Sequence, residues 1–150
     1  MISLSNTTAQ TLTPGQSITF NTVVLHTGCA ECHRANTSSV KLRAKGIYDV
    51  HFSANIGATV AGAAQLSIQL GGDTVNESTM ISTTAAAGDL NNVSTAIPVR
   101  NCCDDYDRIT VTNTAPHNLK TVKMCLYLSN NSYYCWSIAL LEIQPPREGT

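Results

Sequence analysis

Gly46-Ile47-Tyr48-Asp49-Val50-His51-Phe52-Ser53-Ala54-Asn55 is the stretch on which the reading of the fold turns. Tyr48, Val50, Phe52 and Ala54 fall on one side of an extended chain and Asp49, His51 and Ser53 on the other, the period of two that marks a half-buried strand. A helix would need apolar residues three and four apart, and the aromatic and β-branched residues here suit a pleated surface. Gly46 supplies the turn into the strand. The segment reads as a core strand, and the rest of the chain reads as its partners.

On the N-terminal side, residues 1–14 are rich in Thr, Ser and Asn and close with Pro14-Gly15, so they are expected to form an arm or loosely attached edge, with Ile2 and Leu4 able to dock. Ile18, Phe20 and Val24 are expected to begin the first sheet strand. Thr27 to Thr37 is a polar loop, and Val40, Leu42 and Ala44 lead as a short strand into Gly46. On the C-terminal side, Ala54 to Ala63 is a small-residue stretch expected to cross between sheets. Leu66, Ile68 and Leu70 then alternate up to Gly71-Gly72-Asp73, a hairpin turn whose glycines supply positive φ. Val75 to Thr83 returns as its partner, and Val93 to Arg100 forms another strand. Ile109 and Val111 alternate with threonines, and Val122, Met124, Leu126 and Leu128 alternate again. Strands this short, with turns every 8 to 12 residues or so and no helical period, predict an all-β sandwich of about eight to ten antiparallel strands.

The final run, Trp136 to Ile143, is apolar on both faces. A strand of an antiparallel sandwich keeps one face wet, so such a run calls for a central position or a subunit interface, and Trp136, Ile138, Leu140, Leu141 and Ile143 are the candidate interface residues. Residues 144–150, with Pro145-Pro146, cannot continue a strand and are expected to form an extension.

Gly46-x-Tyr48-x-Val50-x-Phe52 resembles the glycine-led strand of the trimeric jelly rolls related to complement C1q and tumour necrosis factor. The resemblance is nearer to their bacterial and bacteriophage branch, found as knobs on collagen-like surface proteins and as virion decoration or fibre domains. It continues in order through Ala64 to Gly72, Ala86-Ala87-Gly88-Asp89, Val99-Arg100-Asn101-Cys102-Cys103-Asp104 and Thr110 to Ile143, and so spans residues 15–143. It implies a jelly-roll topology, a homotrimer, and a last strand facing the trimer axis.

Composition narrows the function classes. Charged residues are 13% of the chain and the net charge is -1, which leaves no basic footprint for nucleic acid and no polybasic patch for an anionic membrane. A surface of Thr, Ser and Asn with so little charge suits a protein packed against copies of itself or against a larger assembly. The N-terminal residues show no signal-peptide pattern, and no stretch reaches the roughly 18 apolar residues of a membrane span. Synthesis in a cytosol is the expectation, and the Asn-x-Ser/Thr sequons are read as a product of composition rather than as glycosylation sites.

Six cysteines leave the chemistry open. Cys29-x-x-Cys32, with Cys102 and Cys103, can be assembled on paper into a tetrahedral zinc site, although adjacent residues on a strand point to opposite faces. Alternatively Cys29 or Cys32 pairs with Cys102 or Cys103 in a disulfide. Cys125 and Cys135 read as free thiols that behave as small hydrophobes. His51 lies on the polar face of the core strand and can face a partner. Asp104, Asp105 and Asp107 form an acidic turn without the pattern of a calcium loop. No nucleophile elbow or phosphate loop is present, so no catalytic residue and no cofactor is expected.

The expectation is a non-enzymatic structural protein of a bacteriophage virion, a trimeric capsid decoration or fibre knob made in the host cytoplasm. Its partners would be its own copies and the major capsid or other virion proteins. A cell- or spore-surface knob reading host glycans or proteins, and a small Cys-dependent metal or redox protein, are the alternatives.

Overall fold

A computed structural model describes residues 1–101 and 107–130, and the statements below concern those residues. They form twelve strand segments and no helix: β1 (Ile2–Asn6), β2 (Gln10–Leu12), β3 (Thr22–His26), β4 (Glu31–Cys32), β5 (Val40–Leu42), β6 (Gly46–Ala58), β7 (Gly62–Leu70), β8 (Asp73–Thr74), β9 (Met80–Thr84), β10 (Asn91–Asn101), β11 (Arg108–Asn113) and β12 (Leu119–Asn130). The count exceeds the expected eight to ten because β2, β4, β5 and β8 are segments of two or three residues.

Two six-stranded antiparallel sheets face each other. One runs β10-β6-β12-β1-β3, with β2 also on β12; the other runs β4-β5-β11-β7-β8, with β9 also on β7. This is the all-β sandwich that alternation predicted, with the jelly-roll topology that the resemblance implies. The core strand expected around Tyr48 is β6, thirteen residues long, paired with β10 on one side and β12 on the other. Tyr48, Val50, Phe52, Ala54 and Ile56 point inward and meet Leu66, Ile68, Ile109 and Val111 of the second sheet in one hydrophobic cluster.

The opening residues are a correction. Residues 1–14 are expected as an arm or loosely attached edge with Ile2 and Leu4 docking; Ile2 and Leu4 are fully buried as that docking requires, but β1 is an inner strand between β12 and β3. Ile2-Ser3-Leu4 is too short an alternation to announce a strand, yet it lies in register with Leu128, Tyr127 and Leu126, and Ile2 and Leu4 join Leu126 and Leu128 in the core. Ile18 and Phe20 are buried as expected, but they sit on isolated bridges and backbone hydrogen bonds, whereas Val24 belongs to β3, which is exposed along its whole length. The stretch expected to cross between sheets stays in β6 as far as Ala58, and the crossing itself is confined to 59–61.

Strand β12 departs from the predicted phase. Met124, Leu126 and Leu128 face the core, but so does Thr121 in place of Val122. The register against β6 shifts between Val122 and Cys125, and Lys123 between them takes a left-handed conformation with φ of 58°. That is a bulge: one extra residue flips the alternation on one side of it.

Tyr48 ties the two sheets together. Its hydroxyl donates to the Ala44 carbonyl at 2.6 Å, accepts from the Ala44 N–H at 3.3 Å and lies 3.2 Å from the Ala30 carbonyl. The β6 side chain therefore anchors the loops that flank β4 and β5. Burial holds its phenol above the ordinary value, and hydrogen bonds from Asn130 and Ala44 oppose that shift.

Candidate functional site

The outward face of the first sheet is built by the residues that alternate with its core. The register lines up Ala96, His51, Tyr127 and Ser3 in one row across β10, β6, β12 and β1, and Ser94, Ser53, Cys125 and Ser5 in the next. Apart from His51 and Tyr127, every member is Ala, Ser or Cys. Small side chains leave a shallow depression of about 460 Å³ over the middle of the sheet. His51 and Tyr127 stand at its floor in edge-to-face contact, ring centroids 5.6 Å apart at 68°.

At the end of the same sheet lies β3, with β1 on one side and no strand in the sheet order on the other. Val23, Val24 and Leu25 are all large exposed hydrophobics, Val24 at 61%. Edge strands present unpaired backbone groups, and soluble chains usually blunt them with charge, proline or a bulge. Thr22-Val23-Val24-Leu25-His26 carries no proline and no Lys, Arg, Asp or Glu. A register irregularity between Ser3 and Leu4 lies on its β1 side. Apolar edge and small-residue face thus belong to one sheet.

The residues singled out by sequence distribute as follows. The candidate interface residues Trp136, Ile138, Leu140, Leu141 and Ile143 lie outside the described residues, as do Cys102, Cys103, Cys135, Asp104 and Asp105. Cys29 is disulfide-bonded, whereas Cys32 and Cys125 are free and exposed. A disulfide sulfur is not a thiolate ligand, so Cys29 and Cys32 do not act as a metal-binding pair in this state. Among the described residues no three His, Cys, Asp or Glu side chains converge on a metal position. His51 stands on the outward face of β6 as its alternation predicts. His26 and His33 are structural: Nε2 of His26 lies 2.8 Å from the Glu31 carbonyl, and the two ring nitrogens of His33 lie 2.9 and 3.1 Å from the carbonyls of Ser39 and Phe20. The apolar edge β3 escapes the sequence reading, which groups Val24 with Ile18 and Phe20 in a first strand; the contiguous Val-Val-Leu run, which breaks alternation, is the available signal.

Comparison by sequence finds no matching family model and no matching curated protein. Comparison by structure finds domains of similar shape over nearly their whole length. The globular domain of zebrafish complement 1qA superposes with a TM-score of 0.62 at 15% identity, covering 87% of this chain and 98% of that one. Eiger TNF of S. frugiperda gives 0.67 at 12% identity, with 86% and 91% covered. Murine APRIL gives 0.55 at 16% identity, with 81% and 96% covered. At these identities the likeness establishes the C1q/TNF-like jelly-roll fold. Among the described residues no helix is long and apolar enough to cross a membrane.

Proposed function

We propose that the chain is a non-catalytic structural knob that assembles as a homotrimer and serves as a bacteriophage virion component, a capsid decoration or fibre domain. The observation that carries the assembly is the pairing, on one sheet, of an exposed apolar edge with a face of small side chains. Val23, Val24 and Leu25 of one copy fit the shallow depression over Ser53, Ala96 and Cys125 of the next. An edge that meets a different surface makes a head-to-tail contact, which closes into a ring when the rotation allows. Burial of apolar area at each contact supplies the driving force. The low charge of the chain supports the same reading, since little has to be desolvated as copies come together. The doubly apolar run at Trp136 to Ile143 would add to this contact.

The virion placement rests on the motif series Gly46 to Phe52, Ala86 to Asp89 and Val99 to Asp104, and on a Thr/Ser/Asn surface suited to permanent packing. Light scattering of the purified chain is the first test. A species of three times 16.0 kDa is the expected result, and a monomer at micromolar concentration would remove the trimer from the proposal. Deleting the coding sequence from the genome that carries it tests the placement: particles should lose a surface projection, and a normal particle with its full protein complement would refute a virion role.

A further inference from the structure

On the opposite side of the sandwich, the outward face of the second sheet carries a concentration of positive charge. The register sets Cys32 of β4 against Lys41 of β5, and Lys41 against Arg108 of β11. Like charges directly opposite on neighbouring strands repel and destabilise the pairing. Arg34 reaches the same place from the loop before β5. Three of the nine basic residues of the chain thus line one depression of about 350 Å³, together with Thr37 and Ser39, and no acidic residue is among its lining.

The surrounding backbone holds these groups in place. The Thr37 hydroxyl donates to the Arg34 carbonyl at 2.6 Å, and Asn36 between them takes a left-handed φ of 66°. The Phe20 N–H donates to the Thr37 carbonyl at 3.0 Å, and the His33 ring braces the Phe20 and Ser39 carbonyls. Among the described residues, neither Arg34 nor Arg108 makes an ion pair, so both guanidinium groups can turn to a ligand. Asp107, next to Arg108 in sequence, directs Oδ1 toward Gly71 in the adjoining depression.

The geometry points to a binding site for the oxyanion, carboxylate or sulfate, of an acidic saccharide. Guanidinium groups bind planar and tetrahedral oxyanions through paired N–H donors, and the Thr37 and Ser39 hydroxyls beside them match sugar hydroxyls. A nucleic-acid strand fits worse, because it needs a track of cations and exposed rings for stacking, and no aromatic residue lines this depression. The site lies on the other sheet from the self-association face, so a monomer would carry it as well as a trimer. It therefore stands or falls apart from the proposed assembly.

The test is an NMR or calorimetric titration of the full 150-residue chain at low ionic strength, with sialyllactose, a sulfated uronic-acid disaccharide, neutral lactose and inorganic sulfate as probes. Saturable binding of at least one acidic saccharide is expected, weakening with salt, with lactose silent and inorganic sulfate clearly weaker. Each of Arg34→Ala and Arg108→Ala should weaken binding about tenfold or more. Both arginine side chains are exposed, so the melting temperature should stay unchanged and exclude unfolding as the cause. Failure of every acidic saccharide to bind, binding that survives the double substitution, or inorganic sulfate binding as tightly as any saccharide would each overturn the assignment.

Discussion

At the scale of single residues, Tyr48 and Gly57 show how side chain and backbone divide the task of closing the sandwich. Tyr48→Phe keeps the ring in the core and removes the hydroxyl, which leaves the buried Ala44 N–H without its partner. A loss of about 1–3 kcal/mol in unfolding free energy is expected, read by denaturant titration. The same residue sets an alkaline limit. Burial raises its pKa, so the unfolded chain releases this proton first, near pH 10 or so. Its contribution is complete below that pH and is lost as pH rises from there through the folded value. Wild type should lose more stability between neutral and strongly alkaline pH than Tyr48→Phe, and parallel curves would count against this account. Gly57 is a different case, since its φ is ordinary. A Cβ there would land on the Asp89 carbonyl oxygen of the Ala86-Ala87-Gly88-Asp89 turn, whose Gly88 N–H donates to the Ala58 carbonyl at 3.2 Å. Gly57→Ala should cost about 3 kcal/mol, seen as a lowered melting temperature, because a backbone oxygen cannot rotate away as a side chain can. Tyr48 was legible from alternation alone; Gly57 was not, because what excludes a side chain there is a loop thirty residues further on.

At the scale of elements, β3 carries the prediction that separates assembly from folding. Val24→Lys with Leu25→Lys charges the exposed edge while leaving every core contact in place. Such surface changes normally move stability by no more than about 0.5 kcal/mol. The double variant should melt near the wild-type temperature and scatter light as a monomer, whereas a trimer of unchanged mass would show that β3 is not the contact. Elements also show where sequence reading works. Strands β6, β7 and β11 were legible because each turns its large apolar residues to one face and small or polar ones to the other, although Ser67 and Thr112 on that other face are buried as well. Strand β1 was hidden by its five-residue length, and β3 by having no buried face. In β12 the period was read correctly from Met124 onward but carried one step too far, across a bulge that only pairing with β6 reveals.

At the scale of the molecule, two sheets present two unlike outward surfaces. The first offers small side chains beside an apolar edge, and the second offers guanidinium groups beside hydroxyls. Under the proposed assembly and binding site, that division would let one surface be covered by neighbouring copies while the other stays open to ligand. The two-layer sandwich was legible because patterning sets the layer architecture, and its jelly-roll topology through the motif resemblance, while the candidate sites were only partly legible. His51 could be placed on an outward face from its own strand, but Arg34, Lys41 and Arg108 come together through pairings of β5 with β11 that no local pattern announces.

The place of β1 between β3 and β12 has a consequence for how the chain comes to its folded state. Residues 2–6 are synthesised long before residues 124–128, their partner on one side, and β6 likewise waits for β12. The central strand of the first sheet is thus the last described strand to leave the ribosome. Until it arrives, β1 and β6 have open edges toward each other's side of the sheet, and the core beneath them is uncovered. Pairings so distant in sequence close slowly, and the waiting strands are exposed to association with other nascent chains. A translation pause before Leu119 would therefore hold the protein in its most aggregation-prone form, and yield in the cell should depend on the speed with which the ribosome covers that final stretch.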